Sequence, residues 1–135
     1  MNMHQARARK PAIILGRDDH RRLNGLAAAA LARFPDVADE LQAELDRARV
    51  VEPAALPPHV VRMGSTLEYE AEGAGLRRVT LVYPGEADIA EGKVSVLTPV
   101  GAALIGLARG QSIDWTARDG KVHRLTVVGV EAPEA

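Results

Sequence analysis

"SVLTPVGAALIGL", residues Ser95–Leu107 of a 135-residue chain, is the stretch on which the fold turns. Ser95-Val96-Leu97 reads as the end of a strand. The next two residues change the conformation: a threonine hydroxyl can cap a helix, and proline suits a first helical turn, where its missing N–H has no intrahelical partner. From Val100 onward the residues are small and uncharged, which predicts a short helix flanked at its end by Gly106 and Gly110. Leu104, Ile105 and Leu107 are expected in the core, each contributing roughly 1.5–3 kcal/mol if fully enclosed. One apolar helix set among strands predicts an α+β domain.

The surrounding sequence supplies the strands. Thr66 to Glu70 alternates, Leu76 to Tyr83 is rich in β-formers, Val94 to Leu97 is a third run, and Ser112 to Ala117 places Ile113 and Trp115 on one face. Val122 to Val130 closes the set, and Asp119-Gly120 signals a two-residue hairpin. The expected sheet is antiparallel with one central helix. Upstream, "PAALPPHVV" (Pro53–Val61) carries three prolines and reads as a stiff linker over 53–61.

Before that linker the period is helical. Leu23, Leu26, Ala27, Ala30, Leu31 and Phe34 form one stripe, started by Asp18 or Asp19 as a cap. The pattern breaks at Phe34-Pro35-Asp36 and resumes at Val37, Leu41, Leu45 and Ala48. So short a break predicts an antiparallel helical hairpin over residues 12–52, each helix needing the other for stability. Residues 1–11 read as a flexible arm, with Ile13 to Leu15 a short extended stretch, and residues 62–135 as the β-rich domain.

Composition narrows the function. Seventeen basic and eighteen acidic residues leave a net charge of −1, without the basic excess that holds proteins on nucleic acid. Aromatics make up 3%, too few for stacking on single-stranded RNA or for the aromatic pocket of a prolyl isomerase, given only Phe34, Tyr69, Tyr83 and Trp115. There is no cysteine, hence no disulfide or thiolate site. No apolar run approaches the roughly 18 residues of a membrane span, and the expected location is the cytoplasm. His4, His20, His59 and His123 lack metal-ligand spacing, "GAALIG" lacks the lysine of a phosphate-binding loop, and no serine sits in a nucleophile elbow. No catalytic residue, cofactor or metal is expected, and no small-molecule substrate.

The longer stretch "VSVLTPVGAALIGLARGQSIDW" (Val94–Trp115), with "EAD" (Glu86–Asp88) before it, resembles the C-terminal domain of the GreA/GreB bacterial transcription factors. "ELDRARVV" (Glu44–Val51), "LPPHVVRMGS" (Leu56–Ser65) and "TLVYPGEAD" (Thr80–Asp88) are similar to the Rnk branch of that family, the regulators of nucleoside diphosphate kinase. The resemblance implies an FKBP-like C-terminal domain that docks on the rim of the RNA polymerase secondary channel, with a short coiled-coil hairpin entering the channel. It places the polymerase-docking motif on Leu97, Thr98 and Pro99. Leu97 departs from the Asn or Asp usual there, which implies an apolar contact in place of a polar one.

Asp36, Asp39 and Glu40 share one helical face near the hairpin tip. In the family's cleavage factors, tip acids help hold the catalytic Mg²⁺, an ion that takes hard oxygen ligands. The hairpin here is shorter and lacks the family's tip motif. The expectation is therefore a polymerase-binding regulator without transcript cleavage, with a Gre-type cleavage factor as the alternative. Acids early in a helix also simply favour its dipole.

Overall fold

The computed structural model describes residues 10–117 and 119–131. The chain enters as β1 (Ile14–Gly16), forms α1 (Arg17–Ala30) and α2 (Pro35–Arg47), and returns as β2 (Arg49–Val51), which pairs in parallel with β1. After a 3₁₀ turn at Pro53–Ala55 come β3 (Thr66–Ala71), β4 (Gly75–Val82), β5 (Lys93–Ser95), helix α3 (Pro99–Leu104), β6 (Ser112–Thr116) and β7 (Val122–Glu131). The last five strands make one sheet in the order β5-β4-β3-β7-β6. The architecture is α+β, helices followed by sheet, with α3 as the helix of the β-rich half.

The sheet is mostly antiparallel, with one parallel pair at an edge. Thr80 to Val82 pairs with Lys93 to Ser95 in parallel. The intervening segment folds into 3₁₀ turns at Pro84–Glu86 and Ile89–Glu91, carrying the chain back along β4 before β5 begins. The other pairings, β3 with β4, β3 with β7 and β6 with β7, are antiparallel. The hairpin at Asp119-Gly120 is also wider than two residues. Ala117 N–H donates to Lys121 O, Gly120 N–H donates to Ala117 O, and Gly120 takes a φ of 84°.

Local chemistry trims the helices. Proline disfavours helical backbone in the residue before it, and Phe34 accordingly sits at φ −135°. Thus α1 ends at Ala30, and Leu31 and Phe34, expected on the buried stripe, are each 50% exposed. Leu23, Ala27 and Ala30 of α1 and Ala38, Leu41 and Leu45 of α2 are buried. Neither helix stands apart from the sheet: Leu23, Leu41 and Leu45 share one interior with Leu67, Leu81, Leu104, Ile113 and Leu125. Helices of 14 and 13 residues are marginal alone, and two such stripes facing only each other would leave apolar surface wet. The stretch read as a linker is packed too. Leu56, Val60 and Val61 are buried, Val61 N–H donates to Leu107 O at 2.8 Å, and Gly106 N–H donates to Val61 O at 2.9 Å.

Asp19 does not cap α1, which starts after Gly16 without a side-chain cap. Its carboxylate instead accepts Met63 N–H at 3.2 Å, tying the helix to the start of the β-rich half. Burial raises its pKa above the ordinary 3.8, and the Met63 N–H offsets this only in part. The folded state therefore binds the Asp19 proton more tightly than the unfolded chain, so this group's contribution is stabilising at low pH. It is lost as pH rises from the ordinary carboxylate value through the raised one. Asp19→Asn retains an acceptor for Met63 and removes that pH dependence. Urea unfolding at pH 4 and pH 7 should show the variant gaining on wild type at the higher pH, by less than about 1 kcal/mol.

Candidate docking cleft

The corner that begins at Ser95 is built by its own hydrogen bonds. Thr98 Oγ1 donates to Ser95 O at 2.7 Å and accepts Gly101 N–H at 3.1 Å, while Ser95 Oγ accepts Leu97 N–H at 3.0 Å. Thr98 is thus the N-cap of α3, with Pro99 in its first turn. Behind this corner, residues 101–107 are all buried. The expected core residues Leu104, Ile105 and Leu107 are among them, fully enclosed. Leu97, Thr98 and Pro99 are half-buried, so the corner is anchored from within and open on its outer side. Thr98→Ala should cost about 1 kcal/mol of stability and Thr98→Ser close to nothing, measured by denaturant unfolding.

What faces the corner was not evident from the residues taken separately. A cleft of about 920 Å³ runs between the first turns of α2 and the β5–α3 corner. Phe34, Val37, Asp36, Asp39 and Glu40 line one wall; Leu97 and Pro99, with Pro84 and Ala117, line the other. The two groups of candidate residues, more than fifty positions apart, therefore share one site. Thr98 is the exception, since its hydroxyl is committed to the cap.

The described charged residues of the cleft, Asp36, Asp39 and Glu40, are all acidic. Among the described residues no Lys or Arg lines it, and none of Asp36, Asp39 and Glu40 forms an ion pair. Burial raises the Glu40 pKa; Asp36 and Glu44 push it the same way, against an opposing pull from Lys10. One turn further along α2, Glu44 is only 4% exposed and is held by Lys10 Nζ at 2.8 Å and by Arg47. This ion cluster around the buried Glu44 carried no sequence signal of its own, and Phe34, read as part of a buried stripe, lines the cleft instead. Among the described residues no group of three or more His, Cys, Asp or Glu is gathered to hold a metal ion. The cleft thus sets an apolar wall against an acidic one.

Helices leading into a five-stranded sheet, with a capped Thr-Pro corner at its edge, define a Gre-type transcription-factor fold. Residues 56–132 match the C-terminal family of the transcription elongation factors GreA/GreB, and residues 11–51 match the Rnk N-terminus. The chain is 41% identical over 129 residues to the regulator of nucleoside diphosphate kinase of Escherichia coli strain K12, covering 93% of this chain and 94% of that protein. It is 37% identical over 75 residues to transcription elongation factor GreA of Thermodesulfovibrio yellowstonii, covering 55% and 48% of the two chains. A solved structure, the prokaryotic transcription elongation factor GreA/GreB from Nitrosomonas europaea, superposes with a TM-score of 0.71 at 42% identity, over 90% of this chain and 99% of that one. The chain belongs to the GreA/GreB family, in its Rnk branch.

Proposed function

We propose that the protein is a non-catalytic regulator of transcription that binds core RNA polymerase at the rim of the secondary channel, gripping it in the cleft between α2 and the Leu97–Pro99 corner. The observation that carries this reading is the pairing, across one open cleft, of the half-buried apolar corner with an exposed acidic helix face. An occupant with apolar side chains flanked by Lys or Arg would satisfy both walls at once, and the acids would speed its encounter. In this reading the β-rich residues 62–135 form the FKBP-like anchor and residues 12–52 the helical hairpin. The protein acts where polymerase acts, in the cytoplasm, and meets DNA or RNA only through polymerase.

Transcript cleavage is the second reading, favoured by the exposure of Asp36, Asp39 and Glu40. Two features oppose it. The helices, of 14 and 13 residues, reach only about 20 Å, and α2 packs against α3 rather than standing free. Carboxylates facing the docking corner are not positioned to reach a metal deep in a partner. The test is a pair of assays on one preparation: binding to core polymerase, and cleavage of RNA in backtracked complexes. Binding without cleavage supports the regulator, binding with cleavage establishes the second reading, and no binding overturns both.

A further inference from the structure

We propose that Phe34 is the anchor of the docking site: its ring, across the cleft from Leu97 and Pro99, takes an apolar side chain of the polymerase surface whose basic neighbours meet Asp36, Asp39 and Glu40. This rests on the docking reading above and names the side chain on which recognition at that site depends.

The chain's other aromatic residues serve the fold. Tyr69 lies in the core, and Tyr83 and Trp115 are packed, partly buried, against it; Phe34 is instead 50% exposed. Leu97, on the opposite wall, also packs against the core, whereas the Phe34 ring lines the cleft from an exposed position. A single exposed apolar residue is ordinary in a folded chain. Its place in the helix sets this one apart. Phe34 is the N-cap of α2, a position that favours Ser, Thr, Asp or Asn because their side chains accept the first free N–H groups of a helix. Phenylalanine accepts nothing there, and α2 has no side-chain cap. Phe34 thus departs at once from two local preferences, burial and capping, a pattern that functional sites produce.

The surroundings define the occupant. The Arg33 guanidinium stands 5.6 Å from the ring centroid, within cation–π range. Val37, Pro84, Leu97 and Pro99 line the same cleft, so an apolar side chain entering beside Phe34 leaves water for carbon on several sides. Asp36, Asp39 and Glu40 follow in the first turns of α2 and complement a basic rim around that side chain. A few residues at the centre of an interface carry most of its binding energy, and aromatic residues are enriched there.

Phe34→Asn removes the ring and supplies a cap, so affinity and stability should part company. Association with core polymerase is expected to weaken by at least about fivefold. The thermal midpoint of unfolding should rise, or fall by no more than about 2 °C. Leu31→Gln is the control: Leu31 is also 50% exposed but does not line the cleft, and this variant should bind as wild type does. A smaller loss of affinity in Phe34→Asn, an equal loss in Leu31→Gln, or a larger fall in the Phe34→Asn midpoint overturns the proposal. If Leu97→Ser with Pro99→Ala loses affinity and Phe34→Asn does not, the docking site stands and its anchor lies elsewhere. If the wild-type chain does not bind polymerase, the docking reading fails and this proposal with it.

Discussion

Replacing Gly106 with alanine is expected to lower the free energy of unfolding by about 3 kcal/mol, in a chain whose whole stability is on the order of 5–15 kcal/mol. Gly106 sits at φ 81°, a left-handed conformation that costs an L-residue roughly 1–2 kcal/mol. An added Cβ would also lie 2.9 Å from Ile13 Cβ and 3.3 Å from Ile14 O. Ile13 is 1% exposed, and Ile14 N–H donates to Gly106 O, so β1 cannot withdraw without opening the core and losing that bond. Overpacking of this kind adds about 1–3 kcal/mol. Gly85→Ala is the control, with open space around its Cβ, and should stay within about 0.5 kcal/mol. Urea melts of the two variants decide it; a loss below about 1 kcal/mol at Gly106 would mean that β1 is not pinned against the α3 turn as described.

The second large effect is on binding. Leu97→Ser with Pro99→Ala should weaken association with core polymerase at least tenfold, the equivalent of about 1.4 kcal/mol. Both substitutions strip apolar surface from the open side of the corner and leave the Thr98 cap intact. Leu97 also packs against the core, so the thermal midpoint of the variant must be recorded beside its affinity. A companion variant leaves the core untouched. Asp36→Asn, Asp39→Asn and Glu40→Gln all fall at exposed positions of α2. They should lower affinity most at low salt and flatten its dependence on ionic strength. If both variants bind as wild type does, the cleft is not the docking site.

The elements were legible in the sequence wherever one rule acted alone. Thr98, Pro99 and Gly106 bound α3 because cap, first-turn proline and left-handed glycine each have a local cause. The β3, β4, β6 and β7 runs fell where alternation and β-branched residues put them. What escaped was whatever depends on partners far along the chain. The parallel β4–β5 pair is set by the turns between the strands, whose path no residue pattern announces. The helices read as a separate unit because their stripes are self-consistent, yet Leu41 and Leu45 are shared with the interior of the sheet. Asp19 looked like a cap because it opens the helical pattern; its real partner is Met63, 44 positions on. The candidate site divided in the same way. The corner was readable as a capped turn and the acids as one helical face. Their meeting across a cleft, and Phe34 between them, required the fold.

The account turns on whether the cleft itself meets RNA polymerase. Ala117 lines the cleft, and His59 lines a separate hollow with Pro58 and Arg109. Ala117→Cys and His59→Cys, each carrying a benzophenone, can be irradiated in the presence of core polymerase. Cross-linking to polymerase from position 117 and not from 59 is the predicted result. Equal cross-linking from both, or cross-linking from 59 alone, would contradict it.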